Sequence, residues 1–285
     1  MRHDFVALIL THDRAGEVQT LDALDRFGYD GPWVMVVDHP DDVEPYTDAY
    51  GADHVYYVDK GETQPEFDRG INAERKAGVV YARFQSWAIA RDLGYDYFIQ
   101  LDDDYNWFGY RFNEAFDYIG TEYVPDLDAT FDNAIDYLER ADLDTVCFAQ
   151  GGDFIGGAEA QLAQHVQAKR KAMNTFICRT DAPFAFRGAV NEDVTTYVRA
   201  QQLGKVFLTV NFVSFDQNDT QQKDGGLTEK YLDEGTYIKS MYTVLYSPSS
   251  VTLQELVDRN DARIHHRVNW RTSVPKIVPE SCRNE

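Results

Sequence analysis

Within the first 105 residues, short apolar runs alternate with stretches of helical periodicity, and that alternation restricts the fold more than any other feature. Phe5–Thr11 is a continuous apolar run, as expected of a strand buried on both faces. Ala15–Phe27 then places Val18, Leu21, Leu24 and Phe27 on one helical face, with Gly28 as the stop. Trp33–Val37 predicts a second strand, ending at Asp38, and Val55–Val58 a third. Ile71–Leu93 predicts a long helix closed by Gly94. Tyr95–Leu101 predicts a fourth strand that runs straight into Asp102, Asp103 and Asp104. Strands separated by helices in this order predict parallel units: an α/β fold with a Rossmann-like, nucleotide-binding sheet and helices on both faces.

The second half is less regular. The pattern predicts a helix over Ala129–Ala141, a strand over Thr145–Gln150 and a glycine loop over Gly151–Gly157. A strand over Thr175–Arg179 precedes a strand-like FRGAV segment and a tight turn, then a helix over Asp193–Leu203 and a strand over Lys205–Phe212. Residues 216–226 (DQNDTQQKDGG) read as a polar loop, and Val251–Arg259 as helical. There is no internal repeat and no Pro/Ser linker, so 1–285 reads as one domain.

Composition narrows the function classes. Hydrophobic residues at 44% exclude a disordered or fibrous chain. No apolar run approaches the roughly 18 residues of a membrane helix. The start, MRHDFVALILTHD, is too short for a signal peptide, so a soluble cytoplasmic protein without a membrane partner is expected. Cys147, Cys178 and Cys282 form neither a zinc pattern nor a disulfide framework, which suits a reducing compartment. With 48 acidic and 27 basic side chains the net charge is -21, which repels nucleic acid except at a locally basic face. Two segments qualify. Residues 161–190 carry Lys169, Arg170, Lys171, Arg179 and Arg187; residues 259–276 carry Arg259, Arg263, Arg267, Arg271 and Lys276. A charge run is also what an ordinary solvated face carries.

Asp-x-Asp spacing has little value in an Asp-rich chain: about four matches arise by chance. Three occur, at 102–104, 126–128 and 142–144. Context separates the first, which closes the strongest strand signal at the end where open α/β sheets bind ligands. Three adjacent carboxylates repel one another unless a cation neutralises them, so the cluster reads as a divalent-metal site, with a solvated turn as the alternative. Asn191-Glu192-Asp193 begins a helix, where carboxylates serve as caps; the same position suits a general base. On an extended segment His265 and His266 point to opposite faces, so only one of them could be a ligand.

These pieces carry a resemblance. LILTHDR, Asp38, Arg83 within YARFQSWAIARDLG, and YDYFIQLDDDY resemble the donor half of GT-A nucleotide-sugar transferases. AMNTFICRTDAPFAFRGAVNEDVTTY, TQQKDGG, GTYIKSMYTVLYSPSSV and RIHHRVNWRTSVPKI are similar to the TET-associated glycosyltransferase family, found mostly in bacteriophages. The chain departs from many GT-A enzymes in having Arg83-Phe84 where Arg-Asn is common. The resemblance implies a GT-A-like fold with a donor half over 1–110 and an acceptor half over 145–285. It implies sugar transfer from a nucleotide sugar, UDP-glucose or a related UDP-sugar, to a hydroxymethylated cytosine or uracil in DNA. Asp102 and Asp104 would hold Mn²⁺ or Mg²⁺, with one histidine of 265–266 completing the metal site. Thr11, Asp38, Arg83 and Asp103 would contact the donor. Asp193, with Glu192 second, would take the acceptor proton, and the anomeric centre would invert. Lys169, Arg170, Lys171, Arg267 and Arg271 would meet DNA phosphates.

Competing readings are a GT-A transferase acting on protein or polysaccharide, and a non-catalytic, cation-dependent sugar-nucleotide binding module. A nucleotidyltransferase of similar fold needs a glycine-rich loop after the first strand, and THDRAGE lacks it.

Overall fold

The computed structural model describes residues 2–60, 79–165, 171–188, 190–217, 237–257 and 262–273. Its centre is strand β1, Phe5–Leu10, in which all six residues are buried. Because alternate side chains face opposite ways, Phe5, Ala7 and Ile9 enter one core while Val6, Leu8 and Leu10 enter another. Helices α1 (Gln19–Arg26), α2 (Pro40–Tyr50) and α4 (Leu127–Arg140) cover the first face. Helices α3 (Val80–Asp92) and α6 (Glu192–Gln202) cover the second. Helices therefore flank both faces of the sheet, as the apolar runs require.

Strands β2 (Trp33–Val37), β3 (Val55–Tyr57) and β4 (Tyr97–Asp102) join β1 in parallel. Strands β5 (Tyr105–Phe112), β6 (Tyr118–Tyr123), β7 (Thr145–Gln150), β8 (Phe176–Arg179) and β9 (Phe207–Gln217) extend it to nine strands, ordered β3-β2-β1-β4-β8-β7-β9-β5-β6. The sheet is mixed: β8 runs antiparallel to both β4 and β7, and β5 antiparallel to β9. Strand order reverses between β1 and β4, the switch point at which open α/β sheets open a ligand crevice. A short helix α5 (Gln161–Gln164) follows β7. Helix α7 (Tyr237–Tyr246) and the hairpin β10 (Val251–Val257) with β11 (Ala262–Val268) complete the described chain.

Three expectations are corrected. Of the helix expected over Val251–Arg259, the described residues form a strand: Val251 through Val257 pair in unbroken antiparallel register with Val268 through Ala262. A short apolar run fits either period, and cross-strand pairing decided it. The described residues of FRGAV form no strand; Phe184 and Phe186 pack on Trp87 from an irregular segment. The strand expected over Lys205–Phe212 starts at Phe207 and runs on to Gln217, so Asp216 and Gln217 belong to β9 rather than to a loop. Residues 71–78 of the expected long helix and TQQKDGG lie outside the described residues.

Candidate active site

The carboxyl ends of β1, β2 and β4 converge on the acid cluster. Thr11, the first residue past β1, bonds Tyr46 Oη at 2.6 Å and donates to Asp103 Oδ2 at 2.8 Å. The Arg14 guanidinium donates to the other Asp103 oxygen. Thr20 anchors the turn from α1: its hydroxyl donates to the Asp102 carbonyl at 2.6 Å and accepts from the Tyr105 amide at 3.0 Å. Asp103 is thus fixed between a hydroxyl and a cation. Asp38, at the end of β2, is paired with Lys60 at 3.0 Å, and burial raises its pKa against that pull.

Arg83 is buried in α3 and touches two carboxylates. Its Nη2 donates to Asp102 Oδ1 at 2.7 Å and its Nε to Glu192 Oε1 at 3.2 Å. Gln100 Nε2 in turn donates to the Arg83 carbonyl at 3.0 Å. Arg83 therefore serves as a counter-ion beneath the acid cluster. Asp104 differs from its neighbours: its Oδ1 is buried without a hydrogen-bond partner among the described residues. Burial first, then Asp102 and Asp103, pushes its carboxyl up to about 7. An orphaned, buried carboxylate oxygen at a strand end is the kind of donor that a hard divalent cation takes.

Asn191, just before helix α6, holds a left-handed φ of 57° and donates to Thr243 Oγ1 at 2.6 Å. Glu192 is buried against Arg83, and burial together with Asp193 pushes its carboxyl up to about 7. Asp193 is half-buried, and its Oδ1 accepts from the Val194 amide at 2.7 Å. His265 and His266 lie on β11, with ring centroids 4.2 Å apart. His266 Nδ1 lies 3.5 Å from Asn191 Nδ2, and burial lowers its pKa to about 4, which keeps the ring neutral. Among the described residues no three His, Cys, Asp or Glu side chains are gathered to hold an ion, so neither histidine joins Asp102 and Asp104 in a ready-made triad.

The basic residues are scattered. Lys171 is tied to Asp153 at 2.6 Å and to Gln150 at 2.7 Å, while Lys169 and Arg170 lie outside the described residues. Arg267 and Arg271 are exposed. Arg267 lines a cleft of about 390 Å³ with Thr252, Val268, Asn269 and Trp270, and Trp270 stacks on Tyr197 of α6.

A family model described as TET-Associated Glycosyltransferase matches residues 5–226. The chain belongs to the TET-associated glycosyltransferase family. The match spans the acid cluster, Arg83 and the start of α6, and ends before His265, His266, Arg267 and Arg271. No curated protein matches the sequence. Among the described residues, no helix of this glycosyltransferase is long and apolar enough to cross a membrane.

Sequence reasoning missed Arg14, Thr20, Tyr46, Lys60 and Gln100, which hold the site's side chains or backbone. Pro40 followed by Asp41 and Asp42 was a legible start signal for α2, the helix that brings in Tyr46. The other four carry no local signature, because each acts through a partner distant in sequence.

Proposed function

We propose that this glycosyltransferase moves a sugar from a UDP-sugar to the hydroxymethyl group of a modified cytosine or uracil in DNA. The observation that carries the donor half of this reading is the orphaned, buried Asp104 oxygen beside Asp102 at the switch point of the sheet. Asp102 and Asp104 would hold Mn²⁺ or Mg²⁺ together with diphosphate oxygens, and the bound ion supplies Lewis-acid stabilisation of charge on the departing nucleoside diphosphate. Thr11 and Asp38 flank the nucleoside, and Asp103 stays rigid between Thr11 and Arg14.

Asp193 accepts the proton of the acceptor hydroxyl. Glu192 has one oxygen committed to Arg83 and is buried, whereas Asp193 is half-buried at the helix start. The hydroxyl oxygen forms the bond to the anomeric carbon as the bond to the diphosphate oxygen breaks. The electron pair leaves with the nucleoside diphosphate, and the anomeric centre inverts. The acceptor half rests on the family resemblance and on the exposed Arg267 and Arg271 beside the Trp270 cleft. The target base leaves the stack so that its hydroxymethyl group reaches the anomeric carbon.

The test is a donor-by-acceptor screen with Mn²⁺, read by nucleoside mass spectrometry, on DNA containing hydroxymethylcytosine or hydroxymethyluracil. A glycosylated hydroxymethylpyrimidine nucleoside is the expected product. Transfer to protein or polysaccharide but never to DNA would replace this reading with the alternative acceptor class. Nucleotide-sugar binding without any turnover would leave only a binding module.

A further inference from the structure

Strands β4 and β8 run antiparallel with Gln100 opposite Phe176. Continued by two residues, this register sets Asp102, the last residue of β4, and Asn174, two residues before β8, at the same edge of the sheet. Asn174 is 7% exposed and holds a φ of 69°, a conformation Asn tolerates better than most residues. Its side-chain Nδ2 donates to Gln217 Oε1 at 2.6 Å. Gln217 ends β9 and pairs with Tyr105, the residue that follows the acid cluster. The two amides therefore bridge β8 and β9 beside Asp102–Asp104.

This pair is only half used. Among the described residues neither amide has a second side-chain or backbone partner, so Asn174 Oδ1 and Gln217 Nε2 stay available. Turning both amides over leaves the same balance of one free acceptor and one free amino group. A hydroxyl, which both donates and accepts, matches that pair of groups.

Position selects which hydroxyl. Along the crevice the strand ends follow the order β2, β1, β4, β8, with neighbours about 4.8 Å apart. Asp38 and Thr11 stand at the first two and the acid cluster at the third. A nucleotide sugar is itself linear: nucleoside, diphosphate, sugar. With the diphosphate at β4, the next strand end falls under the sugar, whereas an in-line acceptor arrives from the side opposite the diphosphate. Resting on the donor site assigned above, we propose that Asn174 and Gln217 form the subsite that reads a hydroxyl of the transferred sugar.

The test compares UDP with UDP-sugars by titration calorimetry in Mn²⁺, taking UDP-glucose first and UDP-galactose as its epimer. Gln217→Ala removes one amide at the last residue of β9. Asn174→Gly removes the other while suiting the positive φ, and thermal melting confirms that each variant folds. The expected result is unchanged UDP affinity, about tenfold weaker binding of the preferred UDP-sugar, and reduced discrimination between the epimers. Unchanged binding of UDP and of both sugars, with a raised KM for DNA, would overturn the proposal, assign the pair to the acceptor and leave the donor site intact. A wild-type protein that binds neither UDP nor a UDP-sugar would overturn the donor reading and this subsite with it.

Discussion

Arg83 Nε and Glu192 Oε1 lie 3.2 Å apart across 109 residues of sequence, while the same guanidinium holds Asp102 at 2.7 Å. One buried cation thus ties the end of β4 to the start of α6, so the proposed metal carboxylate and the proposed proton-accepting segment share one anchor. The planar fork of arginine suits two carboxylates approaching from different sides, and a lysine ammonium on a flexible stem does not hold both in fixed geometry.

Removing that cation leaves the buried Glu192 and the part-buried Asp102 without compensation. Arg83→Met is expected to lower the unfolding free energy by about 3–5 kcal/mol, measured by urea denaturation. Arg83→Lys keeps the charge and costs less. A stability loss in Arg83→Met of under about 1 kcal/mol, the value typical of surface pairs, would show that the anchor is solvated.

Asp104 makes the metal-free protein sensitive to pH. Its carboxyl is raised from 3.8 to about 7 by burial and by Asp102 and Asp103. For a raised acid the folded state holds the proton more tightly than the unfolded state. Its stabilising effect is complete below about pH 4 and is lost as pH rises through 7. The melting temperature of the metal-free protein should therefore fall between pH 5 and 8, and Asp104→Asn should flatten that fall. The variant should melt on the order of 5 °C higher at pH 8, yet lose Mn²⁺-dependent UDP binding. Melting curves in EDTA and titrations with Mn²⁺ and UDP check both halves.

The sheet and the acid cluster were legible because their signals are local: β1 is a six-residue apolar run, and Asp102–Asp104 begins at the last residue of β4. The departures arise where tertiary pairing overrides a local pattern. VTLQELV reads as helix or strand until ARIHHRV is opposite it. Antiparallel β8 is unannounced, because a single short strand carries no directional signal. Lys171 looked like a phosphate contact from its run of basic neighbours, yet it is committed to Asp153, a partner that charge counting does not reveal. Glu192 looked like a cap; instead it turns inward to Arg83, and the cap residue Asn191 contributes no side-chain cap bond.

DNA binding should be local, given the charge of -21. Arg267→Glu combined with Arg271→Glu is expected to raise the KM for DNA and leave hydrolysis of the nucleotide sugar unchanged. For every phosphate that is no longer neutralised, the log–log salt dependence should flatten by about 0.9 on duplex or roughly 0.7 on single strands. An unchanged KM and slope would move the DNA path away from the Trp270 cleft.

The last expectation concerns proton transfer at the start of α6. The alcohol pKa of a hydroxymethyl group lies far above neutral, so attack on an anomeric carbon gains from a carboxylate that accepts the proton as the bond forms. Asp193 and Glu192 are adjacent but differently placed. Glu192 is buried and held by Arg83, and Asp193 is half-buried with one oxygen on the Val194 amide. If Asp193 is the base, Asp193→Asn lowers the single-turnover rate by about 10²–10⁴-fold while UDP-sugar and Mn²⁺ affinities stay near wild type. Glu192→Gln replaces an anionic partner of Arg83 by a neutral one, so its first effect is on stability and on the set of Asp102, with a smaller loss of rate. The decisive comparison is single turnover with saturating UDP-sugar and hydroxymethylated DNA between pH 5 and 9. A group held near pH 7, as Glu192 is, would imprint an inflection there that Glu192→Gln removes. A full rate in Asp193→Asn with a collapsed rate in Glu192→Gln would exchange the two roles. Full rates in both would place the base on another element.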